Sequence, residues 1–219
     1  MHINWFQSFL VLALVAMTLW ACSDATDATG DNANATDSLD GAVAEPDPCE
    51  DATIICTEGL NFVRLGDFLA QVGPQELFDA GKVRDTLASG NGYIWIVRTL
   101  EFEDGEVIIE GEFIDDRDIT QEKVDASTVN RIQVKSPAFE TAQGLKVGST
   151  FGELRETFAD STMYVDAIPE YKAVVVQVQG LPLFFNFIES TPELSTRTDG
   201  TLTPEMIPAD MEVASIVVM

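Results

Sequence analysis

Residues 93–114, YIWIVRTLEFEDGEVIIEGEFI, alternate apolar and polar side chains on both sides of Asp104-Gly105. An Asp-Gly pair between two alternating runs signals a two-residue β-hairpin turn, because glycine readily takes the positive φ that such a turn needs. Pairing outward from it places Phe102 opposite Val107, Leu100 opposite Ile109 and Ile96 opposite Phe113, all on one face. The other face carries Trp95, Val97, Glu101, Glu103, Glu106, Ile108, Glu110 and Glu112. A slip of one residue would mix the two sets, so the stretch is committed to an antiparallel sheet with one buried face.

The rest of the domain is read around this hairpin. Residues 173–189 form a second one, with Gly180-Leu181 as a type II′ turn that sets Val178 against Leu183, Val176 against Phe185 and Val174 against Phe187. Alternation in 129–135 (VNRIQVK) and 212–219 (EVASIVVM) predicts two further strands. Leu65, Phe68, Leu69 and Val72 fall at helical spacing and predict a short amphipathic helix over 65–72. Pro74 suits the first turn of a second helix reaching about Ser89, interrupted near Gly81. Thr150-x-x-Glu153 is a capping-box pattern, opening a helix with Phe151, Leu154 and Phe158 inward. The expected fold class is α+β: a mostly antiparallel sheet built from two hairpins, with helices packed on one face. A helix-then-hairpin unit occurs twice in this layout.

Ahead of the domain the chain changes character. Residues 1–21 contain no Asp, Glu, Lys or Arg, and Phe9 to Ala21 is an almost unbroken apolar run. It suits the hydrophobic region of a secretory signal and falls short of the roughly 20 apolar residues that span a bilayer. The run ends Leu19-Trp20-Ala21-Cys22, which resembles the bacterial lipobox, although Trp20 is bulky where that pattern has small residues. The resemblance implies cleavage before Cys22, diacylglycerol on its thiol and acylation of the new amine. Two or three acyl chains give a stable membrane anchor, where one gives only marginal binding. Ser23 after such a cysteine is compatible with outer-membrane sorting, facing the periplasm or the cell surface. Residues 22–52 then read as a lipidated, acidic linker, with nine Asp or Glu and no Lys or Arg after Cys22. Its Asp and Asn residues lack the glycine and closing glutamate of a calcium loop. The globular domain is 53–219.

Charge and residue usage narrow the chemistry. The domain holds 28 of the 37 acidic residues and all 12 basic ones, which is hostile to nucleic acid. His2 is the single histidine and leaves with the signal. The mature chain then has no imidazole for a Ser-His-Asp or Cys-His centre, and neither a metal nor a cofactor is expected. With Cys22 lipidated, Cys49 and Cys56 are an even pair in an oxidising compartment and are expected to form a disulfide.

One internal segment carries a further resemblance. Thr141-x-x-Gly144-x-x-x-Gly148-x-Thr150-x-x-Glu153-Leu154, within Ile132–Phe158, looks like a stretch recurring in small bacterial envelope lipoproteins. It is also similar to the outer-membrane assembly lipoprotein BamE and the β-lactamase inhibitory proteins. Those relatives bind proteins, so the resemblance implies a non-enzymatic binding or assembly-accessory module with an envelope protein or glycan as partner.

Three places remain as candidate sites. The acidic hairpin face (Trp95, Glu101, Glu103, Glu106, Glu110, Glu112) offers carboxylates for a cation or a partner. It also offers the acid and base of a glycoside hydrolase, unless Arg131 and Lys135 on the neighbouring strand neutralise it. The turn from Gly144 through Gly148 to Thr150 and Glu153 leads into a helix N-terminus, where anions bind. The long connection 190–211 is either a recognition loop or a passive excursion. A calcium-binding structural lipoprotein and an envelope glycosidase stand as alternatives to the binding module.

Overall fold

The structure, a computed structural model, describes residues 48–115, 117, 120–168, 173–188 and 202–219. The signal segment, Cys22, the linker to residue 47 and the 190–201 part of the long connection lie outside the described residues. The described chain begins with a disulfide between Cys49 and Cys56, whose Cα atoms are 5.4 Å apart. Three short strands follow, β1 (Ile54–Ile55), β2 (Gly59–Leu60) and β3 (Val63–Arg64), then helix α1 (Gln75–Asp79). Next come β4 (Val83–Gly90), β5 (Tyr93–Phe102), β6 (Gly105–Gly111), β7 (Ile114–Asp115), helix α2 (Gln121–Asp125) and β8 (Val129–Val134). After β9 (Glu140–Thr141) and helix α3 (Phe151–Thr157) the chain adds β10 (Met163–Ile168), β11 (Ala173–Val178), β12 (Leu183–Ile188) and β13 (Val213–Val218).

These strands make two antiparallel meanders that share one sheet. β4, β5, β6 and β8 are neighbours in that order; β10, β11, β12 and β13 form the second set, and β13 pairs with β8 to join them. β7 continues the line of β6 beside β5. One face of the sheet is buried, carrying Leu100, Val107, Ile109, Ile132, Val134, Val176, Phe185, Phe187 and Ile216. Its cover comes from loops and short elements that supply Leu60, Leu69, Phe139, Leu145, Phe151, Leu154 and Ile207. Each large apolar side chain fully withdrawn here contributes roughly 1.5–3 kcal/mol.

The α+β expectation is therefore corrected: the fold is mostly β, a nine-stranded antiparallel sheet with short helices rather than a helical layer. Segment 65–72 is not an α-helix. Leu69 and Val72 reach the core from a single 3₁₀ turn, Leu69–Gln71, while Phe68 is 51% exposed. Helical spacing arose there because two nearby plugs are enough to cover the sheet. The helix expected from Pro74 to Ser89 stops at Asp79, Gly81 turns with φ 67°, and 83–90 is a strand. That strand lies at the sheet edge with most of its residues exposed. Neither face is demanded apolar, so it shows no clear period of two.

The first hairpin forms, but its register differs from the expected one by two residues. Phe102 pairs with Gly105, Leu100 with Val107 and Arg98 with Ile109, so Glu103-Asp104 is the turn. A shift of two leaves every side chain on its expected face. Gly105 is obligatory here: its φ is 150°, and a Cβ would run into the backbone of Lys135 and Ser136. Phe113 departs more seriously. Between the Val97–Glu110 and Ile94–Ile114 pairs the β6–β7 line holds one residue more than β5. A one-residue bulge reverses facing, so Phe113 is 58% exposed and packs against Trp95 instead of entering the core. The second hairpin has the expected pairs, Val176 with Phe185 and Val174 with Phe187. Its turn hydrogen bond runs from Leu181 N to Val178 O, with Gly180 third in the turn at φ 84°, so it is not the type II′ geometry. β10 was not anticipated.

Candidate functional site

The second face of the sheet is exposed toward its two sides and closed at its centre, where Thr99, Ser215 and Val217 are 6% exposed or less, and residue register assembles it. Tyr164, Gln177, Phe184, Val217, Gln133, Ile108, Thr99 and Arg84 lie side by side across eight of the nine strands. Of the expected acidic set, Trp95, Glu101, Glu106 and Glu110 share this face, Glu103 sits in the turn, and Glu112 lies beyond the bulge, exposed. The acidity is largely matched by cations. Arg131 Nη1 donates to Glu110 Oε1 at 2.7 Å, and Lys135 Nζ donates to Glu106 Oε1 at 2.9 Å. Arg84 stands 3.8 Å from Glu101 in a looser, exposed pair. Among the described residues no three Asp, Glu, His or Cys side chains gather as a metal-binding set.

At the join of the two meanders the face sinks into a depression of about 610 Å³. The Glu110–Arg131 pair, Gln133 and Lys135 line one wall, Asn186 and Ser215 the other. Gln133 Nε2 and Asn186 Nδ2 both donate to Ser215 Oγ at 2.9 Å, tying β8, β12 and β13 together. Toward the β4 edge an aromatic group stands proud. Phe113 meets Trp95 at 5.1 Å with rings at 89°, and Tyr93 at 6.4 Å with rings at 53°. Tyr93 is 49% exposed. Asp115, opposite Tyr93, accepts hydrogen bonds from the Arg117 side chain and backbone. Those bonds hold its carboxyl below the usual carboxylate range. On the far strands Tyr164 and Ile188 are exposed on the same face. Sequence reasoning followed only the inner positions of the 173–189 hairpin. The alternate positions Gln177, Phe184, Asn186 and Ile188 were the signal for the missed half of the face.

The Gly144–Glu153 turn is fully engaged in holding the helix. Gly144 and Gly148 take φ of 79° and 90°. Thr150 Oγ1 accepts from Glu153 N at 3.2 Å, and Thr150 N donates to Glu153 Oε2 at 2.7 Å, a complete capping box. The next amides are also taken: Phe151 N donates to Met211 O and Gly152 N to Ala209 O, both at 2.8 Å. An anion arriving there would find these donors in use. Among the described residues no helix is long and apolar enough to cross a membrane.

No family model and no curated protein matches the chain. Among solved structures the chain is similar to the uncharacterized protein yfeY from Escherichia coli. The two share 18% identity over 76% of this chain and 99% of that one, with a TM-score of 0.48.

Proposed function

We propose that this chain is an envelope lipoprotein, anchored through Cys22, whose open sheet face docks a partner protein without catalysing a reaction. The observation that carries this reading is the chemistry of that face. Half-exposed apolar anchors (Trp95, Phe113, Phe184, Ile188) stand among carboxylates already matched to Arg131 and Lys135. Aromatic anchors within a satisfied polar surround are what protein interfaces use, because no bare charge has to be desolvated on docking. A glycosidase instead needs two carboxylates free to flank a sugar in a cleft, whereas Glu106 and Glu110 each hold a cation. The rings of Trp95 and Phe113 stand nearly perpendicular, so they present edges rather than one flat platform for a sugar. The lipobox, the linker and the Cys49–Cys56 disulfide support an envelope location, outer membrane over inner.

The test is site-specific photo-crosslinking in intact cells from Ile188 and from Trp95. A common adduct from both positions, lost in a Phe184→Glu background that folds normally, is expected. No adduct at either position, or identical adducts from the exposed turn residue Asp104, would remove the open face as the docking surface. Separately, Cys22→Ser should release the protein from the membrane fraction; retention would remove the lipid anchor.

A further inference from the structure

The sheet ends in two edge strands, β4 and β10, and they are finished differently. Glu101 N donates to Lys82 O across an opposed pair. Antiparallel bonding alternates, so Arg84, Thr86, Ala88 and Gly90 bond to β5, while Val83, Asp85, Leu87 and Ser89 turn their N–H and C=O groups outward. The same phase argument at β10, from Gln179 N donating to Thr162 O, turns Met163, Val165 and Ala167 outward. There the Ala167 amide is already used, donating to Asp166 Oδ1 at 2.9 Å. β10 is six residues long and carries this side-chain cap; β4 is eight residues long, and no side chain caps its outward amides among the described residues. β4 contains no proline, lysine or bulge, and its one core-side charge, Asp85, is matched by Arg98. It presents Leu87, 65% exposed, at its outward middle.

We propose that β4 is a self-pairing edge, through which two copies of this chain join antiparallel about a two-fold axis at Leu87. The strand is complementary to itself in this register. Leu87 meets Leu87 of the second copy, which covers the one large apolar side chain exposed on the strand. Asp85 lies opposite Ser89, so no like charges face each other, whereas an axis at Asp85 would oppose two carboxylates. On the open face Arg84 lies opposite Gly90, beside which the Trp95 ring passes within van der Waals reach of an added Cβ. The missing side chain leaves space for a guanidinium over that indole, a favourable cation–aromatic contact. Outward residues 85, 87 and 89 then supply about six backbone hydrogen bonds, two per bonded pair. The strongly acidic domains repel one another, so pairing tightens as salt rises, unlike a contact held by opposite charges.

Full-length protein carrying Leu87→Cys tests the axis directly. Opposed residues in a bonded pair have Cα atoms about 5.5 Å apart, within the range a disulfide spans. Mild oxidation should convert most of this variant to a reducible covalent dimer on a denaturing gel, while the parent chain and Tyr164→Cys on β10 gain no covalent link between copies. Dimer from Leu87→Cys no greater than from Tyr164→Cys overturns the proposal. So does capture of a different envelope protein at position 87 without self-crosslinking. Independently of cysteine chemistry, Leu87→Lys should shift the sedimenting species from dimer to monomer with its circular dichroism spectrum unchanged. A parent protein that sediments as a monomer at every salt concentration also overturns it.

Discussion

The two meanders repeat one plan and hold it together with different chemistry. Each begins at a glycine of positive φ, Gly73 at 123° and Gly148 at 90°, enters a helix and runs into four antiparallel strands. Each also has a register irregularity where its last strand joins, at Glu110/Gly111 in the first and Asn186/Phe187 in the second. The second half fixes its helix by apolar packing: Phe151 and Leu154 are fully buried, and Phe151 meets Phe187 edge to face at 5.7 Å. In the first half α1 buries none of its residues and lacks a side-chain cap. A polar clamp stands in their place. Arg98, 7% exposed on the core side of β5, donates to Leu69 O at 2.6 Å and Val72 O at 3.0 Å, and forks onto both oxygens of Asp85. Phe78 of α1 lies over its guanidinium, 5.3 Å from ring centre to Cζ. The architecture specifies where a cover must sit and leaves open whether dispersion or hydrogen bonding secures it.

Several substitutions would break or sharpen this contrast. Phe151→Ala should cost the most, about 4 kcal/mol, since it deletes a fully buried ring and leaves a cavity; chemical denaturation measures it. Arg98→Met should cost about 3 kcal/mol by stranding two buried carbonyls, and hydrogen exchange should loosen residues 69–79 before the second half. Loss spread evenly over both halves would show that the clamp is not local. Thr150→Ala should cost about 1 kcal/mol through the lost cap, while Pro74→Ala, at an N-cap that makes no side-chain bond, should be close to neutral. The smallest effect concerns acid. Asp115 titrates below its ordinary 3.8 because Arg117 bonds its charged form. Its contribution is full above 3.8 and disappears as the pH falls through the lowered value. Amide protection near Tyr93, taken relative to the intrinsic exchange rate at each pH, should therefore fall at low pH in the parent but not in Asp115→Asn.

What could be read from the residues follows the same divide. Alternation wrote β5, β6, β8, β11 and β12 plainly, because each buries one face, whereas β13 is buried on both from Ser215 to Val218. The Thr150–Glu153 box was equally plain, because capping is local. β4 was misread because an edge strand beyond the core needs no apolar face. Phe113 was misplaced because a bulge is set by what packs on it: at Gly111 a Cβ would meet Ser127 Oγ, and Ser127 arrives from a separate segment. Arg98 reads as an ordinary charged residue in a strand. Its buried role depends on carbonyls 26 and 29 residues away, which no local pattern reports. Glu101, Glu106 and Glu110 were legible in position, and so were the cations Arg131 and Lys135, whereas Glu103 sits in the turn and Glu112 beyond the bulge.

The seam between β8 and β13 has a consequence for how the chain reaches this fold. Only three residue pairs, Val134–Ile216, Gln133–Val217 and Ile132–Val218, connect the meanders there, and β13 is the last strand in chain order. A polypeptide emerging from a ribosome or a translocation channel can complete β4 to β8 early. Until residue 218 is free, however, Ile132 and Val134 border a bare strand. Loop closure over some eighty intervening residues is slow compared with local pairing. The interval before the halves meet is thus the period when this protein is most exposed to mispairing, and a chaperone's help would count most at that moment.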